Sequence, residues 1–382
     1  MSKSNFLSRS LRPLIVTAAA LTIASTWVAD NSRADDLGYA NKVVGAALLS
    51  KMSKAPLDVG GVAWSGSDIS PAPIKGGKVA IMPCPLAYAV CQYLYQSAAD
   101  AAKAIGWEAF PIDNKGDPAV AQKGVDAAIN KGVNCVLTLA SPARDIKAQI
   151  TRGKGKGIAF VTGFSDDPRE FGGDVGYGLD YAAAGSILGA YIIAHGGGGI
   201  VVFNAPQDPQ LTVRINGFKK FIEQYGGSSA KIIHEEDFSL AQGGPGEITK
   251  MQALLTRYPK DSFKWVIAPF DETLTPLLQT AQQRDRTEIK GVSFDGEEVA
   301  YADIRKGGPQ VATMSWGLEW VAWAGIDECN RALNKAEVGV NKDFPLQITE
   351  ASNVPGKDLK YDFNFDFKSY YTKMWAAAAA AN

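Results

Sequence analysis

The sequence predicts an α/β fold of two similar lobes, each a doubly wound parallel sheet with helices on both faces. Three observations predict it. Short apolar runs alternate with amphipathic helical stretches from Lys78 onward. The alternation starts again at Gly199, about 120 residues later, which indicates an internal repeat. The length of 382 residues is also more typical of two domains than of one.

The elements follow from the spacing of apolar residues. Short, mostly apolar runs predict strands near residues 78–82, 108–112, 135–139, 158–162, 199–203, 265–268, 290–294 and 311–314. Apolar residues at helical spacing predict helices near residues 90–105, 118–131, 144–153, 181–195, 211–225, 247–258, 273–284 and 318–333. Strands separated by helices are expected to be parallel, which gives the doubly wound arrangement.

The ends of the chain differ from this body. Arg9 and Arg12 precede an apolar run at residues 14–24, and Ser32-Arg33-Ala34 offers small residues for cleavage, so residues 1–34 read as a secretory signal cleaved near Ala34. The predicted organisation is a signal at 1–34, an N-terminal extension at 35–77, lobe 1 at 78–178 plus about 317–345, lobe 2 at 179–316, and a C-terminal extension at 346–382. Export without a second apolar span predicts a periplasmic protein, expected to be a monomer.

Composition excludes several classes of function. With 39 basic against 40 acidic residues, a net charge of −1 gives no basic surface for nucleic acid or a membrane. Two histidines, His195 and His234, lack metal-ligand spacing, and no Gly-x-Ser-x-Gly motif is present. No catalytic residue, metal or cofactor is therefore predicted, and an exported enzyme is the weaker alternative.

The four cysteines leave their pairing open. They are even in number and could form disulfides in an oxidising compartment, with three pairings allowed for Cys84, Cys91, Cys135 and Cys329. Buried free thiols are an equally good interpretation for Cys135, in a strand pattern, and Cys329, in a helical one.

Aromatic and charged residues follow the predicted strands. In open α/β sheets ligands bind beyond the carboxyl ends of the strands. The candidates at these ends are Tyr88, Phe164, Gln207, Phe270, Asp271, Asp295 and Trp316. Aromatics beside carboxylates suit a sugar-like or polyol-like ring with apolar faces and polar edges.

The order of these motifs resembles the type I periplasmic binding proteins, the ribose-binding-like branch that delivers solutes to ABC importers. The resemblance covers Lys78 to about Leu346. It rests on Lys78-Val-Ala-Ile-Met, Lys131-Gly-Val-Asn-Cys-Val-Leu, Asp180-Tyr181-Ala-Ala-Ala-Gly185, Arg214-Ile-Asn-Gly-Phe218, Phe270-Asp271-Glu272 and Gly291-Val-Ser-Phe-Asp-Gly296. It implies two lobes that close by a hinge over a small ligand, permease subunits in the inner membrane as partners, and no enzymatic step. A membrane sensor kinase is the alternative partner.

The resemblance also assigns roles. Arg214 and Asp295 correspond to residues that grip ligand hydroxyls from lobe 2, while Tyr88 and Phe164 fall where lobe 1 supplies contacts. Asp180, which opens the motif before helix 181–195, joins the ligand-binding candidates. Phe270 and Trp316 stand where the family often has amides, and Gly163-Phe164-Ser165 replaces a common Asp-Arg pair. The site is therefore expected to be more aromatic than a typical pentose site.

Simpler interpretations remain for these positions. Arg214 could be a solvated helix residue in a surface ion pair. Asp271 could cap the following helix. Phe270 and Trp316 could be core aromatics, as is expected of Trp320 and Trp323.

Overall fold

The computed structural model describes residues 37–45, 66–242, 244–342, 344–356 and 365–381. It contains two sheets, of five and six strands. The predicted signal at residues 1–34 lies outside the described residues.

The first sheet, with its helices, forms lobe 1. Its strands are β1 (Lys78–Pro83), β2 (Glu108–Pro111), β3 (Cys135–Leu139), β4 (Ala159–Gly163) and β5 (Val175–Tyr177). A helix α1 includes residues 37–45, and it is followed by α2 (Ala89–Ala104), α3 (Pro118–Asn130) and α4 (Lys147–Lys154). The strands are parallel in the order β2-β1-β3-β4-β5. Nearly every residue of β1, β3 and β4 is buried, because helices cover both faces.

The second sheet forms lobe 2. Its strands are β6 (Gly198–Asn204), β7 (Ala230–Asp237), β8 (Trp265–Ile267), β9 (Lys290–Asp295), β10 (Gln310–Ser315) and β11 (Gln347–Glu350), in the order β11-β10-β9-β8-β6-β7. Its helices are α5 (Tyr181–Ala194), α6 (Pro209–Tyr225), α7 (Gly244–Arg257), α8 (Asp271–Gln283) and α9 (Glu298–Arg305). Only the pairing of β11 with β10 is antiparallel in this sheet as described.

The chain passes between the lobes after β5, after β10 and before β11. After β10 it enters α10 (Leu318–Leu333), which packs on α2, β3 and β4 of lobe 1. The predicted fold of two doubly wound lobes is confirmed. The sequence patterns missed β5, β7, β11, α9 and the C-terminal helix α11 (Phe367–Ala380).

Both disulfides lie in lobe 1. Cys84 pairs with Cys91, and Cys135 on β3 pairs with Cys329 on α10. The interpretation of Cys135 and Cys329 as free thiols is therefore wrong. Cys135 lies in a strand pattern and Cys329 in a helical pattern far away in sequence. Neither pattern shows that the two sulfur atoms meet where α10 packs on β3.

Part of the C-terminal extension, β11, belongs to the lobe 2 sheet, and the terminal helices α1 and α11 pack on helices of the lobes. In α1, Tyr39 stacks on Phe221 of α6, with ring centroids 6.1 Å apart. On α10, Trp323 stacks on Trp375 of α11 at 5.9 Å, so Trp323 belongs to a buried core as predicted. The alanines at 376–380 form the last turns of α11. Within the described ranges, every helix is too short or too polar to cross a membrane.

Candidate functional site

A cavity lies between the lobes at the carboxyl ends of their strands. The empty space in and at the mouth of this cavity is about 520 Å³, open solvent included. The lining residues are Cys84, Pro85, Tyr88, Val90, Cys91, Leu94, Ala140, Phe164, Asp208, Leu211, Arg214, Leu240, Phe270, Asp295, Trp316 and Leu318. Both lobes therefore contribute to one site, at the position where ligands bind in such sheets.

Lobe 1 supplies a covalently braced wall. The Cys84–Cys91 disulfide ties the loop after β1 to the first turn of α2, and both cysteines line the cavity. Tyr88 lies inside this braced loop. Phe164 follows β4 with a backbone φ of +60°, a left-handed conformation that a bulky residue rarely adopts. That backbone conformation costs free energy, and the residue that adopts it is one that lines the cavity.

Arg214 is the central charged group of lobe 2. It projects from α6, is only 4% exposed, and its Nη1 donates to Asp295 Oδ1 at 3.0 Å and to Pro269 O at 2.7 Å. The guanidinium carbon lies about 5 Å from the ring centres of Tyr181, Phe294 and Trp316, at 5.3, 5.2 and 4.9 Å. Arg214 is thus buried in an aromatic cage and is not a solvated helix residue.

Two donors at this corner have no acceptor. Arg214 Nε and Trp316 Nε1 are buried and lack a hydrogen-bond partner among the described residues. Both side chains line the cavity. Because an unpaired buried donor costs free energy, these two groups are candidate donors to a ligand oxygen.

Asp295 ends β9 in a strained backbone conformation. Its φ is +96°, and the next residue, Gly296, has a φ of +71°. A Cβ at position 296 would lie 2.5 Å from Ser315 Oγ, so only glycine fits this turn. Burial raises the pKa of Asp295, while the neighbouring Arg214 opposes that rise. The turn therefore delivers a carboxylate to Arg214 at the floor of the cavity.

Asp208 is a second carboxyl of the site. It begins α6, where Oδ1 accepts from Gln210 N at 2.8 Å, and Pro209 follows it at the first helical position. Burial raises its pKa to about 6, against the lowering effect of the Gln210 amide. Asp208 also accepts from Ser165 Oγ of lobe 1 at 3.3 Å. The cap of α6 thus also bridges the two lobes.

Other hydrogen bonds cross the cleft around the cavity. Tyr88 Oη of lobe 1 donates to Leu240 O of lobe 2 at 3.0 Å, and the Tyr88 ring meets Phe270 edge to face at 5.3 Å. The amide of Ala89, at the start of α2, donates to Glu272 Oε2 at 2.9 Å. These contacts hold the lobes in a closed arrangement.

Six of the nine sequence-predicted site residues lie together on the cavity wall. They are Tyr88, Phe164, Arg214, Phe270, Asp295 and Trp316. Phe270 meets Tyr88 across the cleft, while Trp316 meets Tyr181 and Phe294 at 6.2 and 6.3 Å. Their role as ligand contacts stays a prediction.

The other three predicted residues lie elsewhere. Asp180 caps α5 by accepting from Ala183 N at 2.9 Å. Gln207 is exposed and lines a neighbouring cavity that shares Asp208 with the first. Asp271 is fully buried beneath the site, where it accepts from Gln310 Nε2 at 2.7 Å, Thr313 Oγ1 at 3.0 Å and the Ser293 hydroxyl.

Asp271 anchors a network of buried groups. Burial raises its pKa to about 7, although the hydroxyl and amide groups around it oppose the rise. It is the first residue of α8, whose N-cap is Phe270. Its geometry therefore suits support of the β9–β10 floor more than contact with a ligand.

The sequence patterns missed several lining residues. Asp208 had a usable signal, an Asp-Pro pair between a strand and a helix, which is a typical helix start. Leu240 had none, because it belongs to the loop between β7 and α7, where no periodicity places it. Val90 and Leu94 were recognised only as helix-core positions of α2.

A family model described as "Periplasmic binding protein domain" matches residues 79–337. The chain belongs to the periplasmic binding protein family. The proteins of this family bind solutes without transforming them, which confirms the expectation of a non-enzymatic chain. No curated protein is significantly similar to this chain in sequence.

Solved structures of such binding proteins share this fold. An ABC transporter solute-binding protein from Mycobacterium smegmatis with bound glycerol matches with a TM-score of 0.65 and 22% identity, covering 75% of this chain and 99% of that one. A sugar ABC transporter protein from Yersinia enterocolitica gives 0.67 and 16%, covering 81% and 99%. A Caulobacter myo-inositol binding protein bound to myo-inositol gives 0.63 and 17%, covering 77% and 97%.

Proposed function

We propose that this periplasmic binding protein captures one small sugar-like or polyol-like solute in the interlobe cavity and delivers it to an ABC importer. The observation that carries the proposal is the interlobe cavity, lined from both lobes, with the unpaired donors Arg214 Nε and Trp316 Nε1 among its lining side chains. A buried donor that finds no partner within the protein is satisfied when a ligand oxygen enters.

Binding from both lobes gives a reason for closure. Each lobe alone exposes half of the site, so the full set of contacts forms only when the lobes meet. The ligand therefore favours the closed state by its extra contacts there. A permease that recognises the closed arrangement could distinguish the loaded protein from the empty one, and the periplasm is the compartment in which this delivery takes place.

The test is a ligand screen on the purified protein without its signal segment. A compound that binds only the folded protein at 100 times its Kd adds about 2.7 kcal/mol of stability, which thermal unfolding detects readily. We expect one chemical class of small solutes to raise the Tm, and NMR spectra of the bound compound to stay unchanged over hours. Conversion of that compound into a product would refute a purely binding role.

A further inference from the structure

We infer that the solute is a small neutral molecule with a mostly apolar body and one or two hydroxyl oxygens on a single edge, such as a cyclic alcohol or diol. The inference rests on the proposed binding of a small solute between the lobes, and it replaces the highly hydroxylated end of the proposed solute class by a less hydroxylated one. It is drawn from the unequal chemistry of the two cavity walls. Lobe 2 supplies every charged side chain of the lining, and lobe 1 supplies an apolar surface.

The lobe 1 wall offers hardly any free hydrogen-bonding side chain to a ligand hydroxyl. Its side chains are the disulfide, Pro85, Tyr88, Val90, Leu94, Ala140, Phe164 and Leu318. The one polar side chain among them, Tyr88, already donates its hydroxyl to Leu240 O at 3.0 Å.

The main-chain amides of this wall are also engaged. Cys84 N donates to Leu139 O at 2.8 Å, Tyr88 N to Pro85 O at 3.0 Å, Ala140 N to Gly163 O at 2.9 Å and Phe164 N to Tyr177 O at 3.2 Å. A ligand hydroxyl turned toward lobe 1 would lose its water without gaining one of these donors. Each such unpaired hydroxyl lowers affinity by about fivefold or more.

The lobe 2 corner offers a small and directed set of polar groups. Arg214 Nε and Trp316 Nε1 can donate, and the carboxylates of Asp208 and Asp295 can accept. Arg214 Cζ lies 4.9 Å from the centre of the Trp316 ring, so the two donor side chains are neighbours. One or two adjacent hydroxyls, each accepting from a donor and donating to a carboxylate, would satisfy this corner.

Charge favours a neutral solute over an acid. Arg214 is already paired with Asp295 at 3.0 Å, and Asp208 adds a second carboxyl to the same lining. A ligand carboxylate would meet a cation that is already paired with Asp295 and a second carboxyl group, Asp208, in the same lining. In this buried setting such like-charge contact is costly.

The rest of the solute would be apolar. Leu94, Leu211, Leu240 and Leu318 line the cavity beside the aromatic rings. Each methylene group buried against such side chains raises affinity by about fourfold. Leu94 and Leu318 belong to lobe 1, and Leu211 and Leu240 to lobe 2. A ring with few hydroxyls gains this apolar contact, whereas a fully hydroxylated ring of equal size does not.

The experiment compares two ligand panels of matched ring size by calorimetry on the full protein without its signal segment. The first panel holds cyclohexanol, 1,2-cyclohexanediol and phenol, and the second holds myo-inositol, glucose and ribose. We expect the best member of the first panel to bind at least tenfold tighter than every member of the second. Cyclohexanecarboxylate should bind more weakly than cyclohexanemethanol.

The outcomes separate the two proposals. Tighter binding of a sugar or inositol would overturn the inference and leave the proposed function intact. Absence of binding by both panels would count against the proposed function, and the inference would fail with it.

A variant of the lobe 1 wall provides a second test. Val90→Thr adds a hydroxyl to the wall without changing side-chain shape, so the affinity ratio between 1,2-cyclohexanediol and myo-inositol should fall several-fold. Val213→Thr is the matched control, because Val213 is exposed on α6. An unchanged ratio for Val90→Thr would contradict the inferred apolar contact.

Discussion

The hydrogen bond from Tyr88 to Leu240 links the two lobes directly at the cavity. Tyr88 Oη donates to Leu240 O at 3.0 Å, and Tyr88 is 7% exposed. Burial, reinforced by the charges of Glu247 and Glu272, raises the pKa of Tyr88, so the hydroxyl keeps its proton across the useful pH range. Tyr88→Phe deletes the hydroxyl and retains the ring that meets Phe270.

The size of the effect follows from this geometry. A neutral hydrogen bond contributes about 0.5 to 1.5 kcal/mol net, and here it forms only when the lobes are closed. If the empty protein is mostly open, binding includes the free energy of closing the lobes. The lost hydrogen-bond energy then appears entirely in the apparent Kd. Tyr88→Phe should therefore raise Kd by about 2- to 13-fold, while the Tm of the empty protein stays nearly unchanged.

A matched variant controls for the loss of a tyrosine hydroxyl. Tyr177 Oη donates to Val321 O at 2.9 Å, but both residues belong to lobe 1. Tyr177→Phe should lower the Tm of the empty protein and leave the affinity nearly unchanged. Calorimetry and thermal unfolding on both variants give the two readouts. Equal Kd values for Tyr88→Phe and the unaltered protein would refute the role of this bond in closure.

Three further predictions concern stability. Burial, with a further contribution from Glu272, raises the pKa of Glu247 to about 8. The folded protein therefore keeps a proton that the unfolded chain has lost, and its stability falls as the pH rises from about 4.5 to 8. Glu247→Gln removes this titration and should flatten the fall in Tm measured from pH 5 to 8. Replacing Cys135 and Cys329 together by serine opens a disulfide that spans 194 residues. The free energy of unfolding should fall by about 2 to 5 kcal/mol in denaturant. An unchanged denaturation midpoint would contradict the assignment of this disulfide. Arg214→Ala leaves the buried Asp295 without its partner and should lower the free energy of unfolding by about 3 to 5 kcal/mol. The double variant, Arg214→Ala with Asp295→Ala, should recover part of this loss. A double variant less stable than Arg214→Ala alone would contradict the pairing.

Strong periodicity explains what the sequence predicted well. The strand at 135–139 is buried at every position, and a continuous apolar run is typical of that environment. Strand β7 was missed because it lies at the sheet edge, where its burial alternates and Glu235 and Glu236 interrupt the apolar pattern. Helix α9 is only eight residues long and follows directly on the turn at Asp295.

Site residues were predictable where they directly follow a strand with a clear apolar pattern. Trp316 comes after β10 and lies in the cavity, as that position suggests. The fully buried Asp271 also follows a strand, yet its carboxylate turns into the lobe 2 interior, which depends on partners such as Gln310 that are distant in sequence. Partners across space, like the sulfur of Cys329 beside Cys135, carry no local signal.

We propose that the solute binds between the lobes at the corner formed by Arg214 and Trp316. The most direct measurement is a crystal structure of the protein with the compound that gives the largest thermal shift. We expect density in this cavity, with a ligand oxygen within about 3.2 Å of Arg214 Nε or Trp316 Nε1 and the apolar part of the ligand against lobe 1. Density for the compound outside the cavity, or a polar edge turned toward lobe 1, would contradict it.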